Sequence, residues 1–351
     1  MVCQNSAVVL LGRYSQTSQS PDQPKFNVQN LVATTEFVKL VLCLFLIGYD
    51  EVVKENPLAS AGEILIGIPL KTFIAVKDQI LDPMSALPIS IPAGLYLLQN
   101  NILYVALKNL TAPVFQVTYQ SKLVTTALVS VVMLQRRYAS LQWISLVTLG
   151  VGVAVVVLGE QSGGKDEEEE VEGQSMILGL CAVAAASLSS AFAGVYFEKV
   201  LKGGTAKPND KVQSVWMRNI QLAFFSLVFS SLYSALGMNR GGDSASAGEA
   251  LPFFYGFTTT TYMLVVLQAL GGLLVAAIVK YADNVVKGLA TGVAVVVSTI
   301  VSAIFLGSAV TMPFVVGAFI ILTSVWVFGN EGKARELIFG AATVESSNDK
   351  M

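Results

Sequence analysis

The sequence lacks histidine altogether, and charged residues and cysteines are scarce. Of its 351 residues none is histidine, 13% are charged and three are cysteine. Without an imidazole, the chain has no histidine-based proton relay or metal site, and no serine or cysteine nucleophile activated by histidine. Because Cys3, Cys43 and Cys181 lie far apart in apolar segments, we interpret them as small core residues. No metal or cofactor is therefore predicted.

Apolar residues dominate instead. Hydrophobic residues make up 54% of the chain, and the mean hydropathy is +0.64. These values are typical of an all-α polytopic membrane protein in a lipid bilayer. The net charge of −2 gives no support to nucleic-acid binding. Apolar runs of about 20 residues predict membrane spans at 29–49, 85–107, 112–133, 141–159, 176–198, 215–236, 257–279, 288–307 and 310–329.

The apolar segment Val2–Leu11 is too short to span a bilayer, and it lacks the basic flank and cleavage site of a signal peptide. We interpret it as a truncated first helix. Counting it as a crossing, with the amino end in the cytosol, places most loop lysines and arginines on the cytosolic side. The spans then form two groups of five, 1–159 and 176–329, separated by an acidic lumenal linker, 160–175, and followed by a cytosolic tail, 330–351.

One span, 112–133, carries a lysine near its centre. A charged amine at membrane depth costs about 2.5–3.5 kcal/mol on insertion scales. Gln116, Tyr119, Lys122 and Thr126 fall within about 120° on an α-helix, so one face of this span is polar. Lys122 has two interpretations. In the first it only snorkels to the membrane surface or pairs with a buried carboxylate. In the second it faces a cavity that receives an anionic substrate. We favour the anion site.

The second group of spans has a corresponding polar stripe. Lys287, Thr291, Ser298 and Ser302 fall within about 60° on the span 288–307, counted from its first turn. This helix is the fourth of its five, as the Lys122 helix is in the first group. Two groups with an odd number of spans run in opposite directions across the membrane. The pattern therefore predicts an inverted repeat with a site near its pseudo-two-fold axis.

Other polar residues inside the spans have two interpretations each. Glu36 and Lys39 either pair with each other at i, i+3 or serve a gate or the substrate. The amides at 99–101 either join helices or bind both the donors and the acceptors of a nucleobase edge. Arg218 either pairs with Glu198 or contacts the substrate.

Several segments together resemble one family. They are LQNNILYVALKNL, FQVTYQSKLVTTAL, AFAGVYFEKVLK, SVWMRNIQL and LQALGGLLVAAIVKYADNVVKG, with the serine-containing helix that follows. They are similar to the nucleotide-sugar transporters of the drug/metabolite transporter superfamily. The similar branch contains the UDP-galactose, UDP-N-acetylglucosamine and CMP-sialic acid transporters of the Golgi. The resemblance covers most of the chain, about residues 2–329.

The resemblance implies ten helices in a five-plus-five inverted repeat and a multi-pass Golgi membrane protein that is not an enzyme. It implies an antiporter in which a UDP-sugar enters the lumen while UMP leaves. By motif match Lys122 and Lys287 hold the phosphates, Tyr96 and Asn100 read the base, and Gln116, Tyr119 and Asn219 line the cavity. The full set of predicted site residues is Lys122, Lys287, Tyr96, Asn100, Asn101, Gln116, Tyr119, Asn219, Thr291 and Ser298.

Within the branch, the segment LQALGGLLVAAIVKYADN is most similar to the UDP-sugar transporters, and LQNNILYVAL and LQALGG favour UDP-N-acetylglucosamine slightly over UDP-galactose. The CMP-sialic acid transporters tend to carry hydroxyl residues where this chain has Val275 and Ala276. A CMP-sialic acid/CMP antiporter remains an alternative, as does a proton-coupled metabolite exporter of the same fold, for which Glu36 is the candidate titrating acid. A homodimer is a further hypothesis on which the sequence is silent.

Overall fold

The computed structural model describes residues 1–17, 28–56, 67–69, 71–74, 83–110, 112–161, 175–203, 214–236, 253–306 and 311–339. Within these ranges the regular elements are helices. They are α1 (Val2–Thr17), α2 (Val28–Glu55), α3 (Pro83–Asn109), α4 (Ala112–Tyr119), α5 (Ser121–Leu134), α6 (Ser140–Gln161), α7 (Met176–Leu201), α8 (Val215–Ala235), α9 (Thr259–Tyr281), α10 (Asn284–Leu306), α11 (Met312–Gly329) and α12 (Glu331–Phe339). Residues 67–69 and 71–74 are also helical.

Eight helical segments in the described ranges are long and apolar enough to cross a bilayer. They are Asn30–Glu55, Val114–Leu134, Ser140–Gly159, Met176–Leu201, Val215–Tyr233, Thr259–Tyr281, Asn284–Val301 and Met312–Gly329. A helix satisfies its own backbone hydrogen bonds, which is what a segment in lipid requires. Eight of the predicted spans and the polytopic membrane class are thereby confirmed.

The predicted span 85–107 forms the helix α3 but is not among these candidates. The consecutive amides of Gln99, Asn100 and Asn101 lower the hydropathy of this helix. The predicted segment Val2–Leu11 is helical and continues to Thr17. The ten-helix count and the inverted repeat therefore stay predictions.

The chain divides into two compact units that each combine parts of both sequence halves. Unit 1 contains Met1, Cys3–Leu98 and Tyr196–Asn284, and unit 2 contains Val2, Gln99–Val195 and Val285–Met351. The helices α3 and α7 pass from one unit to the other. The predicted boundaries at 159 and 176 describe a repeat in the sequence rather than compactness, so this division does not test them.

In unit 1, α2 packs against α8 and α9. Cys43 and Ile47 of α2 lie in one buried cluster with Met217, Ile220 and Leu273. The interpretation of Cys43 as a core residue is thus confirmed, whereas for Cys3 and Cys181, which are exposed on the protein surface, it is wrong. In a second buried cluster, the first half of α3 packs against three other helices: the carboxyl end of α7, α8 and α9. Its members include Ile89, Ala93, Phe197, Leu222 and Val279.

In unit 2, α6 and α11 lie against each other along their length. A Cβ atom added at Gly317 would come within 2.7 Å of the carbonyl oxygen of Gly152, and one at Gly152 within 3.1 Å of the carbonyl oxygen of Gly317. These two glycines therefore permit a close helix–helix contact of the kind common in membranes. Most of the predicted acidic linker, 162–174, and the end of the tail, 340–351, lie outside the described residues.

Candidate functional site

The predicted Lys122 span is interrupted in the structure. A single continuous helix was predicted over 112–133, whereas α4 ends at Tyr119 and α5 begins at Ser121. The backbone N–H of Gln120 donates to the carbonyl of Val117 (3.2 Å), and that of Leu123 donates to the carbonyl of Gln120 (3.0 Å). These i to i+3 bonds make a tight turn of 3₁₀ type, which in the middle of a helix often marks a functional hinge. The turn therefore lies between Tyr119 and Lys122, two of the predicted site residues.

Lys122 lies directly after this break, beside an aromatic ring. Its Nζ atom is 4.4 Å from the centroid of the Tyr119 ring, within the range of a cation–π interaction. Among the residues that the structure describes, no carboxylate lies within ion-pair distance of Lys122. In this part of the chain the ammonium group therefore keeps an uncompensated charge that suits an anion.

The ring beneath Lys122 is held from two sides. The hydroxyl of Tyr119 accepts a hydrogen bond of 2.9 Å from Nε2 of the buried Gln99. Its ring stacks on Phe115 at a centroid distance of 5.4 Å and an interplanar angle of 14°. Both contacts fix the ring and so restrict the position of the Lys122 ammonium group. Gln99 was not among the predicted site residues, although it is the first of three consecutive amides.

The helix that carries Lys287 packs directly against α5. A Cβ atom added at Gly288 would collide with the side chain of Leu123. Leu123 and Ala127 share a buried cluster with Val285 and Leu289. The two predicted phosphate-binding lysines are therefore each adjacent in sequence to a residue of one helix–helix contact inside unit 2.

In unit 1, the first residue of α10 is held by the buried carboxylate of an ion pair at the end of α7, whose cation, Lys202, is exposed. Glu198 is fully buried; its Oε2 accepts from the backbone N–H of Asn284 (3.0 Å), and its Oε1 accepts from Lys202 (2.8 Å). Lys202 also donates to the carbonyl of Ala282 (2.6 Å). An anion thus meets the amino end of α10 and a cation meets the carboxyl end of α9, as the helix dipoles favour.

The hydroxyl groups of the α10 stripe bond to their own helix. Thr291 donates to the carbonyl of Lys287 (3.0 Å) and Ser298 to that of Val295 (2.9 Å). Thr126 of α5 does the same to Lys122 (2.6 Å). Each of these hydroxyl oxygens still has acceptor capacity for a substrate group.

The remaining predicted residues are not gathered by one element. Asn100 and Gln116 are exposed and Asn101 is half-buried, all in unit 2. Tyr96 is half-buried in unit 1. Asn219, also in unit 1, is 2% exposed and donates to the carbonyl of Val215 (2.9 Å).

The structure gives contacts for two of the residues that have alternative interpretations, and for Arg218 both interpretations stay predictions. Glu36 and Lys39 do pair with each other: the Lys39 Nζ atom is 2.7 Å from Oε1 and 2.6 Å from Oε2. For Arg218, the structure gives a hydrogen bond of 3.1 Å from Nη1 to Oε1 of Gln221.

Comparisons with known proteins decide the family. A sequence model described as nucleotide-sugar transporter matches residues 1–329. The chain belongs to the nucleotide-sugar transporter family. This confirms the resemblance and, because the family consists of transporters, the expectation that the chain is not an enzyme.

Two relatives and one solved structure give the range of similarity. A UDP-N-acetylglucosamine transporter of Canis lupus familiaris is 40% identical to the present chain. The match covers 95% of the present chain and 94% of the dog protein. A UDP-galactose translocator of Homo sapiens is 38% identical over 99% of the present chain and 79% of the human protein. A crystal structure of a protein with 14% identity covers 96% of each chain with a TM-score of 0.60, which shows a shared fold alone.

Proposed function

We propose that this family member exchanges a cytosolic UDP-sugar, UDP-N-acetylglucosamine or UDP-galactose, for lumenal UMP across the Golgi membrane by alternating access. The proposal is supported by the names of its relatives, which are transporters of these two UDP-sugars. The observation that carries it is the Lys122 ammonium group, which lies at a helix break in a candidate span, over a fixed tyrosine ring and without a carboxylate in the described part of the chain.

The phosphates of the substrate are the groups that such a cation would bind. A nucleotide diphosphate brings about two negative charges, and ammonium groups bind phosphate as point charges. In a medium of low dielectric constant the attraction between these charges is several times larger than in water. We assign the phosphates to Lys122 and to Lys287, whose helices contact each other at Leu123 and Gly288.

The other predicted residues receive roles within the same proposal. Tyr96 and Asn100 read the uracil base, and Asn101, Gln116, Tyr119 and Asn219 complete the substrate contacts. Thr291 and Ser298 offer hydroxyl groups next to the phosphates. The Gln99 amide acts through Tyr119, whose position it fixes by a hydrogen bond of 2.9 Å.

The same charge explains why exchange would be obligatory. Without substrate, the Lys122 cation has no compensating carboxylate among the described residues, and exposing it to the bilayer during the conformational change is unfavourable. A bound nucleotide on each leg of the cycle removes this penalty. An empty carrier should therefore reorient slowly, and net uptake without a counter-substrate should be slow.

Exchange in proteoliposomes tests the proposal. Vesicles loaded with UMP, with CMP or with buffer alone would be offered radiolabelled UDP-, CMP- and GDP-sugars. We expect uptake of a UDP-sugar only into UMP-loaded vesicles, at a rate that does not depend on a pH gradient. Equal uptake into buffer-loaded vesicles would contradict antiport, a CMP-sugar preference would favour the CMP-sialic acid alternative, and pH-driven uptake would favour the proton-coupled exporter.

Two finer parts of the proposal need separate measurements. Localisation of the tagged chain in its own cell type tests the Golgi assignment. The homodimer stays a prediction, which light scattering of the detergent-solubilised protein would test.

A further inference from the structure

A groove at the surface of unit 2 lies beside the turn at Gln120 and has no role in the proposal above. Its volume is about 490 Å³, a size typical of small-molecule sites. Three candidate spans form it, namely Val114–Leu134, α6 and α7, with residues that all belong to unit 2. They include Val147 and Val151 of α6, which are 55% and 52% exposed, so the groove is open on one side.

The groove lies on the face of α5 opposite to the predicted phosphate site. Ser121 and Val124 line the groove, whereas Lys122 and Thr126 belong to the polar stripe. At 100° per residue the two pairs lie about 150° apart around the helix axis. The groove is therefore separate from the Lys122 site. If Lys122 faces the substrate, the open side of the groove faces the lipid.

One polar side chain of the groove has unused hydrogen-bonding capacity. Gln120 lines it at the turn between α4 and α5, and a Cβ atom added at Gly150 of α6 would lie 3.8 Å from the Gln120 Cβ atom. The side-chain amide of Gln120 bonds to none of the described residues. An amide without a partner at membrane depth is costly. A molecule in the groove that carries a hydroxyl group would supply the missing partner.

The groove lies within one leaflet of the bilayer. Val117, Leu180 and Ala154 are three, four and five residues from the nearer ends of their candidate spans, which is about 5–8 Å. Val124, ten residues into its span, is about 15 Å deep, half the thickness of the hydrocarbon core. The Gln120 backbone is about 9 Å deep, and helical side chains lean towards the amino end, which here is the near surface. Its amide can therefore meet a hydroxyl group close below the headgroups.

The lining of the groove excludes two kinds of occupant. None of the described residues that line it is charged, so a phosphate headgroup finds no counter-ion there. A second copy of the chain does not fit, because a two-fold interface brings the same patch of both copies together. Two concave grooves that face each other would enclose empty space instead of packing. The occupant is therefore a neutral molecule of the membrane.

The shape of the groove suits a rigid ring system. Gly150, Ala154 and Ala184 contribute little or no side chain and leave a shallow, even surface. Val147 and Val151 beside them are stiff at χ1, so the shape is largely preformed. A rigid ligand loses less conformational entropy on such a surface than a flexible acyl chain does.

We propose that this groove binds a sterol of the surrounding membrane, whose hydroxyl group bonds to the Gln120 amide and whose rings lie against α6 and α7. Thr118, before the turn, and Ser121, after it, both line the groove. A bound sterol would therefore hold α4 and α5 in one relative orientation. If the turn bends during transport, the sterol should slow exchange, and this part of the inference rests on the proposed function.

Photolabelling tests the site without any transport assay. The full chain in phosphatidylcholine vesicles would be labelled with a photoreactive cholesterol analogue, and the labelled residues identified by mass spectrometry. We expect labels on the groove residues of α4 to α7, displaced by excess cholesterol and not by excess ceramide. Gln120→Leu should weaken labelling by about three- to tenfold, the effect of one lost hydrogen bond.

A pair of adjacent alanines provides a matched control. Ala184 and Ala185 of α7 are both exposed, and of the two Ala184 lines the groove. Ala184→Phe should fill the groove and abolish labelling, whereas Ala185→Phe should leave it unchanged. Cholesterol in the vesicles should slow exchange by about threefold in the wild type and in Ala185→Phe, and not in Ala184→Phe. Exchange in cholesterol-free vesicles shows that each variant is folded.

The outcomes separate this inference from the proposed function. Labels spread evenly over the exposed faces of the spans, labelling that persists in Ala184→Phe, or equal displacement by ceramide would overturn the sterol site while UDP-sugar exchange stands. The same cholesterol dependence in both phenylalanine variants would overturn the effect on the turn. If the protein is labelled as expected but accepts no UDP-sugar, the proposed function fails and the sterol site stands.

Discussion

Two lysines of the candidate spans, the buried Lys39 and the half-buried Lys122, have different surroundings. Lys39 is 6% exposed and lies within an ion pair of its own helix, because Glu36 is three residues away. Lys122 lies after a helix break, over the Tyr119 ring, and has no carboxylate partner among the described residues. A lysine inside a span is therefore not by itself a sign of substrate binding. Whether a neighbouring carboxylate compensates the ammonium charge determines whether that charge can bind a ligand.

The comparison is most directly tested at Lys122. Lys122→Ala should lower the exchange of UMP for a UDP-sugar by about 100-fold, because a charge-assisted hydrogen bond contributes about 1.5–3 kcal/mol. Lys287→Ala should give a loss of the same order. Proteoliposome exchange at equal protein content measures both.

The control is Lys333→Ala, which removes an exposed lysine of α12, outside the candidate spans. It should leave exchange unchanged. If Lys122→Ala exchanged substrate at the wild-type rate, Lys122 would not bind the phosphates. The contrast between Lys39 and Lys122 would then have no functional meaning.

At Lys39, the contrast predicts an effect on stability that depends on Glu36. Lys39→Met leaves the Glu36 carboxylate without its cation and should destabilise the protein by about 2 kcal/mol, less than for a fully buried pair because Glu36 is partly exposed. The double variant Glu36→Gln with Lys39→Met should recover at least half of this loss. Thermal unfolding of the detergent-solubilised protein measures all three.

Equal melting temperatures of Lys39→Met and of the double variant would contradict the interpretation that Glu36 and Lys39 stabilise the protein by pairing with each other. A double variant that is more stable than Lys39→Met yet transports poorly would instead show that the pair also serves the transport cycle, as the alternative interpretation of Glu36 and Lys39 holds.

The contact between the two lysine helices gives a third test. Gly288→Ala places a Cβ atom against Leu123 and should push α10 away from α5, which shifts Lys287 relative to Lys122. Misplacement of a binding group by a fraction of an ångström lowers rates markedly. We expect about a tenfold loss of exchange and a partial recovery in the double variant Gly288→Ala with Leu123→Ala. No effect of Gly288→Ala would mean that the α5–α10 spacing is unimportant.

Hydropathy predicted most of the fold because lipid imposes one simple demand. A segment of sufficient length and apolarity forms a helix whatever its neighbours are, so eight spans agree with the structure. The helix α3 differs because its three amides lower its hydropathy, although they can be satisfied inside the protein. Composition cannot tell an amide in lipid from one with a partner.

The site was predicted less completely, for reasons of geometry. Helical periodicity placed Tyr119 and Lys122 on one face, but it assumed an unbroken helix and so missed the turn at Gln120. The bond from Gln99 to Tyr119 joins residues twenty positions apart on different helices, which no local pattern specifies. The Glu36–Lys39 pair, at i, i+3, was accessible to sequence analysis because both members share one helix.

The smallest expected effect concerns a neutral residue near the Lys122 site. Asn100 is exposed and directly follows Gln99, the residue that fixes Tyr119. An amide can pair with both the donors and the acceptors of a uracil edge, and loss of one such neutral pair changes affinity by about tenfold or less. In Asn100→Ala we therefore expect UMP to lose its advantage over CMP as counter-substrate, while the order of preference among UDP-sugars is kept. Asn109→Ala, at the end of the same helix, is the matched control. An equal loss of discrimination among bases and among sugars would mean that Asn100 affects only the overall shape of the site. Base recognition would then depend on Tyr96 or on a residue outside the predicted set.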